Sequence, residues 1–265
     1  MHLLSLLLAG FCTLAPAAPQ DPPAVPRQAT PSLQLQHARQ VKSAARGTRG
    51  AARVEALDRA VAAYAAVTEY WPEPGPVAAE AAFRRGEIQR SLGREGPARA
   101  AFLEVLDLGP GTAFHPRALL ELGHLRRRAG EYGQALERYR QVLEIRGVPL
   151  RYANDSREWT ARVLLDTADW KGAAEAARSW KAHAEGPVEI VRAADLEARA
   201  LAGQGLLDEA SRVLEGLRED LADLAADPTP EGEALQRAFE RMKAPAEIEK
   251  ARASSKPASQ PASGL

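Results

Sequence analysis

An alanine recurs along this chain at an almost constant interval, and that interval limits the folds available to it. The residues are Ala60, Ala98, Ala135, Ala173 and Ala210, which lie 38, 37, 38 and 37 positions apart. Periods of roughly 20 to 50 residues are typical of stacked repeat units. Because a single unit cannot bury its own apolar face, neighbouring units have to stack. The spacing therefore predicts a repeat array.

Two segments, Gly86–Pro110 and Gly123–Pro149, contain the repeat unit in its fullest form. Each begins with glycine and continues with a second glycine, an alanine, an aromatic residue and a valine at matching offsets. The aligned pairs are Gly93/Gly130, Ala98/Ala135, Phe102/Tyr139 and Val105/Val142. A glycine can adopt the left-handed backbone that ends a helix, and an alanine lets two helices approach closely. Each unit is therefore predicted to be a helix hairpin.

The composition favours helices throughout the array. Alanine, the best helix former, accounts for 54 of the 265 residues, while aromatic residues make up only 5%. Such a chain is a poor candidate for a β-rich fold. The 35 Lys and Arg residues balance the 35 Asp and Glu residues, so the usual polybasic type of nucleic-acid-binding protein is excluded.

The unit resembles the tetratricopeptide repeat (TPR). The positions that match the small, aromatic and terminating residues of that family's consensus are Gly86/Gly123, Gly93/Gly130, Tyr132, Ala98/Ala135, Phe102/Tyr139 and Pro110. The resemblance covers about residues 32–215 and implies an all-α fold, an α-solenoid of about five TPR-like helix hairpins with a C-terminal capping helix. The period is longer than the usual 34 residues and is similar to that of periplasmic TPR proteins of the bacterial cell envelope.

The ends of the chain differ from this interior. Residues 1–17 contain an apolar block too short to span a membrane, followed by Ala15-Pro16-Ala17, and are predicted to be a cleaved signal peptide. The alternative is an N-terminus that is retained, or lipidated at Cys12, which would place the protein on a membrane. Residues 18–31 are predicted as a Pro-rich linker, 32–226 as the repeat domain, 227–250 as the capping helix and 251–265 as a disordered tail. The protein is therefore expected in the periplasm or another extracytoplasmic compartment.

The sequence contains none of the catalytic or cofactor motifs that we sought. Its five histidines lack H-x-x-x-H spacing, and the phosphate-binding, dinucleotide-binding and nucleophile-elbow glycine motifs are absent. Asn154-Asp155-Ser156 matches a glycosylation sequon, but Asp155 and Glu158 also have the spacing of a helix capping box, which we prefer. We therefore expect a protein that is not an enzyme and that binds no cofactor and no metal.

In TPR arrays the first helix of each hairpin lines a concave groove, and ten residues at the groove positions that the resemblance implies are candidate contacts. These are Phe83, Glu87, Arg90, Arg117, Leu120, His124, Arg127, Arg128, Arg162 and Arg199. The four arginines of the second and third hairpins would make the middle of the groove basic and favour an acidic protein or peptide partner, with Phe83 and Leu120 as apolar anchors. The alternative for Arg126–Arg128 is a solvated helix surface.

These features predict an exported, non-catalytic scaffold or adaptor that mediates protein–protein interaction in the bacterial cell envelope. The alternative is a regulatory or assembly subunit of an envelope enzyme or secretion complex. No nucleic-acid partner is expected.

Overall fold

The computed structural model describes residues 25–255, which form thirteen helices and no β-strand. The helices are α1 (Pro31–Ser43), α2 (Gly50–Tyr70), α3 (Pro76–Ser91), α4 (Glu95–Leu108), α5 (Phe114–Arg128), α6 (Tyr132–Glu144), α7 (Leu150–Asp166), α8 (Trp170–Ala182), α9 (Pro187–Gly203), α10 (Leu207–Asp220), α11 (Ala222–Ala226), α12 (Pro230–Glu240) and α13 (Ala244–Ser255). The predicted signal peptide, the start of the predicted linker and the last ten residues of the predicted tail lie outside the described residues.

Helices α1 to α10 pair in sequence into five hairpins, and the hairpins stack in chain order. The first helices are α1, α3, α5, α7 and α9, and each of the first four also contacts the first helix of the next hairpin. By contrast, no two second helices (α2, α4, α6, α8, α10) contact each other anywhere in residues 25–255. The row of first helices is therefore the shorter, inner side of the stack. The predicted all-α solenoid is confirmed.

The periodic residues occupy equivalent places in each hairpin. All five marker alanines are fully buried, at 0% exposure. The turn glycines Gly93, Gly130 and Gly205 have φ of +72°, +76° and +80°, the left-handed conformation that suits glycine. At the equivalent turn of the fourth hairpin, Ala168 adopts a φ of +58°. The period therefore records a buried alanine in all five hairpins and a left-handed turn in the second to the fifth.

A glycine and an aromatic ring meet where the two helices of a hairpin cross. A Cβ atom on Gly86 would lie 2.6 Å from Cε1 of Phe102, and Gly123 stands in the same relation to Tyr139. Both rings are fully buried. The fourth hairpin has Ala161 and Ala177 at these two places, both at 0% exposure, so a larger residue on the first helix accompanies a smaller one on the second.

The C-terminal end is more elaborate than a single capping helix. Three helices, α11, α12 and α13, follow the last hairpin, and α12 and α13 both pack on α9. Thr229 caps α12 through a hydrogen bond that its Oγ1 accepts from the backbone N–H of Gly232, at 3.2 Å. Helix α13 continues to Ser255 and so includes the first five residues assigned to the tail.

The proposed capping box at Asp155 and Glu158 is wrong. Helix α7 begins at Leu150, so both residues lie inside it. The side chain of Glu158 is instead buried and pairs with arginines on α7 and α9. A capping box and an ion pair within a helix both require polar residues a few positions apart, so the local spacing alone did not separate them.

Candidate functional site

All ten residues assigned to the groove lie on first helices, in α3, α5, α7 and α9. Two of them do not reach the surface, because Phe83 is 1% and Leu120 is 6% exposed. The ring of Phe83 packs in the core, with its centroid 5.4 Å from that of Phe102 and 5.6 Å from that of Phe114. The prediction that Phe83 and Leu120 serve as apolar anchors is therefore wrong. Their side chains pack in the core and stabilise the inner helices.

Acidic side chains neutralise part of the inner face that was expected to be basic. Arg90 lies 3.2 Å from the carboxylate of Glu121, and Arg117 lies 3.6 Å from that of Glu87. Glu121 was missed because it falls one position outside the family's groove pattern, although it is one helical turn from Arg117 and shares its side of α5. Positive and negative side chains are thus paired in the middle of the inner face. The prediction that Arg90 and Arg117 make this part of the groove basic is wrong.

Four residues of α5 and α7 form what we call the central cluster: His124, Arg127, Trp159 and Arg162. The guanidinium carbon of Arg127 lies 4.6 Å from the centroid of the Trp159 ring, and that of Arg162 lies 5.5 Å from it. The His124 ring meets Trp159 edge-on, with centroids 4.9 Å apart. Such contacts between cations and an aromatic face hold the ring and both guanidinium groups in place.

The imidazole of His124 is held neutral by its surroundings. Burial lowers its pKa to about 4, and the positive charges of Arg127 and Arg128 act in the same direction. Its Nδ1 atom lies 2.9 Å from the hydroxyl of Tyr139, so the two groups share a hydrogen bond. Burial also raises the pKa of Tyr139. At neutral pH both groups are uncharged, and they serve as a hydrogen-bonded support for the cluster.

The remaining predicted contacts are engaged to different degrees. Arg162 pairs with Glu158 at 2.8 Å, and Arg199 pairs with Glu247 of α13 at 2.9 Å. Arg128 lies 4.0 Å from Glu95, the outer limit of an ion pair. Arg127 has no carboxylate partner among the described residues, and its Nε atom is buried without a hydrogen-bond partner there.

Trp159 is the residue that sequence reasoning missed. It lies one helical turn before Arg162, one of the ten predicted groove residues, on α7. Trp159 does not occupy one of the groove positions of the TPR family pattern. The available signal was a tryptophan three residues before an arginine on a first helix.

Two classes of site are absent from the described part of the chain. No group of three or more His, Cys, Asp or Glu side chains there could hold a metal ion. No helix between residues 25 and 255 is long and apolar enough to cross a membrane. The inner face is the surface on which the described chain concentrates its aromatic and arginine contacts.

Comparison with known proteins identifies the fold. No known family profile and no curated protein matches the sequence. Among solved structures, the chain is similar to MamA, with a TM-score of 0.57 and 18% identity over 75% of this chain and 97% of that one. It is also similar to a tetratricopeptide repeat protein from Parabacteroides merdae, with a TM-score of 0.53 and 18% identity over 85% and 81%.

A third similar solved structure is that of PilW, a widely conserved type IV pilus biogenesis factor. It has a TM-score of 0.50 and 16% identity over 88% of this chain and 97% of that one. All these similarities extend over most of both chains at low identity. They show that the chain has the fold of tetratricopeptide repeat proteins.

Proposed function

We propose that this TPR-type solenoid is a non-catalytic scaffold whose inner face binds a segment of another protein, and that it acts in the bacterial cell envelope after export. The central cluster carries this proposal. It places one tryptophan and two arginines side by side on the inner face, and these are the residue types that dominate the energetics of protein–protein interfaces.

The cluster is prepared for binding because its members are already ordered. Trp159 is held by two guanidinium groups and by the neutral imidazole of His124. Less side-chain freedom is then lost when a partner docks, which favours affinity. The half-buried guanidinium group of Arg127 has no carboxylate partner among the described residues, so a carboxylate of the ligand could pair with it.

Two observations support a location in the cell envelope. The first residues have the pattern of a secretory signal peptide, and the similarity to PilW relates the fold to a pilus biogenesis factor. The same similarity favours the second candidate, an assembly subunit of an envelope complex. Mass spectrometry of the mature N-terminus tests the location. A start at Ala18 supports export, whereas an intact Met1 would contradict it and a lipidated Cys12 would place the protein on a membrane.

A site-specific photo-crosslinker tests the binding face. It is placed at Arg90 on the inner face or at Leu103 on α4, two positions that are both exposed to solvent. Irradiation of cells should give a protein adduct from position 90 and little from position 103. Trp159→Ala should reduce the adduct at position 90 without changing the circular dichroism spectrum. Equal adducts from both positions would contradict an inner binding face.

A further inference from the structure

A cavity of about 380 Å³ lies at the C-terminal end of the inner face, between α7 and α9 on one side and α12 and the connection from α12 to α13 (residues 241–243) on the other. We call it the C-terminal cavity. Of the described residues that line it, six are cationic and one is a carboxylate. The cationic residues are Arg162, Arg192, Arg199, Arg237, Arg241 and Lys243. This imbalance stands out in a chain whose formal charge is zero.

The single carboxylate in the lining, Asp195, is already engaged by the backbone. Its Oδ1 atom accepts hydrogen bonds from the N–H groups of Lys243, at 2.7 Å, and Ala244, at 2.8 Å. These bonds fix the first turn of α13 to α9. The charge of Asp195 is therefore directed at a helix N-terminus, and the cations around it are left in excess.

The cations themselves are unequally paired. Arg162 and Arg192 share the carboxylate of Glu158, Arg199 pairs with Glu247, and Arg237 lies 3.4 Å from the carboxylate of Glu233. The exposed side chains of Arg241 and Lys243 have neither an ion pair nor a hydrogen bond with any described residue. Two uncompensated positive charges thus stand at the rim of the cavity.

The cavity also has an apolar floor and is continuous with the central cluster. The half-buried residues Val188, Ala234, Ala238 and Met242 form this floor, while Val191 and Leu196, at 0% and 2% exposure, belong to the core behind it. Arg162 lines the cavity and also packs over Trp159. A segment bound across the central cluster would therefore reach the cavity without leaving the inner face.

We propose that the C-terminal cavity binds an acidic segment of a partner protein, with its carboxylates against Arg241, Lys243 and Arg192 and its aliphatic side chains on the apolar floor. This proposal rests on the proposed function, since it assigns a chemistry to the segment that the inner face binds. Guanidinium groups form bidentate pairs with carboxylates, and shared burial strengthens such pairs. The mixed lining favours a peptide over a nucleic acid, whose recognition requires an extended basic surface.

The basic cavity at the other end of the array provides a comparison. It is lined by Arg39, Lys42, Arg46, Arg53 and Arg84 with Glu80, and it lies against α1 to α3. It does not include any residue of the central cluster. Continuity with Trp159 therefore distinguishes the C-terminal cavity from a basic patch that serves solubility.

The test uses the full chain and a fluorescein-labelled peptide of alternating Glu and Leu residues. Fluorescence anisotropy measures binding to the wild type, to Arg241→Glu/Lys243→Glu and to the control Arg99→Glu/Lys171→Glu, which makes the same charge change on exposed positions of α4 and α8. We expect the cavity variant to weaken binding by about tenfold or more, and the control to have a much smaller effect. Raising the salt concentration from about 0.01 M to about 0.15 M should also loosen the wild-type complex.

Several results would overturn the proposal. One is an unchanged affinity of the cavity variant for the peptide, and another is equal binding of a peptide with Gln in place of Glu. A third is binding of the protein to phosphatidylglycerol vesicles that the cavity variant weakens as much as it weakens peptide binding, which would indicate a lipid site. Circular dichroism confirms that each variant is folded. If position 90 gives adducts but the cavity variant binds the peptide with unchanged affinity, only the proposal for the C-terminal cavity is rejected. If the peptide binds but position 90 gives no adducts, the proposed function is rejected.

Discussion

Replacement of Gly86 by alanine tests the packing rule that the repeat encodes. Its added Cβ would lie 2.6, 2.7 and 2.9 Å from three carbons of the Phe102 ring, which has no room to move because it is fully buried. Overpacking of this kind costs about 1–3 kcal/mol. Against it stands a gain of about 1 kcal/mol, because alanine favours a helix more than glycine does. We expect a net loss of up to about 2 kcal/mol in the free energy of unfolding.

Gly216 is a matched control for the helix-propensity contribution. It lies inside α10, and a Cβ atom there would meet nothing within 4 Å. Gly216→Ala should therefore stabilise the protein by up to about 1 kcal/mol. Urea unfolding followed by circular dichroism measures both variants, and an unchanged dependence of free energy on urea would show that the comparison is valid. The difference between the two substitutions isolates the steric cost.

A double-mutant cycle with Phe102→Leu completes the test. With the ring removed, Gly86→Ala should become neutral or stabilising, as the Ala161 and Ala177 pair of the fourth hairpin suggests. The coupling between the two positions should reach about 1 kcal/mol or more. If Gly86→Ala stabilises the wild type as much as Gly216→Ala does, or has the same effect in both backgrounds, the packing explanation of the repeat is refuted.

Three further predictions concern single residues. The pKa of His124 is about 4 in the folded state, below its ordinary 6.5, so the unfolded chain takes up the proton first as pH falls. The free energy of unfolding should therefore drop by up to about 3 kcal/mol between pH 7 and 4. His124→Gln should remove that part of the pH dependence. Ala168→Gly should raise the urea midpoint, because it relieves a left-handed alanine that costs about 1–2 kcal/mol; a lower midpoint would contradict this. Glu197→Gln should lower the free energy of unfolding by only about 1 kcal/mol, because the side chains of its partners Arg178 and Lys181 are 50% and 35% exposed and regain contact with water. Thermal unfolding at low and high salt would measure this loss. A loss that does not depend on salt would argue against an ion-pair origin.

The repeat architecture could be predicted because its determinants are local and recur. The turn glycines Gly93 and Gly130 are left-handed, as the spacing indicated, and the marker alanines Ala98 and Ala135 are fully buried. Each hairpin poses the same steric problem where two helices cross, so the same small residue returns at every period. The cap was harder to predict, because α12 and α13 obey no period.

The candidate site depended on contacts between helices that are distant in sequence. Sequence positions placed the groove residues on the inner helices, yet burial of Phe83 and pairing of Arg90 with Glu121 of the next first helix changed what they present to a partner. Asp195 meets the start of α13 some 48 residues later, which forms the C-terminal cavity. The repeat period is sufficient to determine the backbone of a solenoid. Its surface chemistry depends on the register between stacked helices, which brings together charges that no local pattern relates.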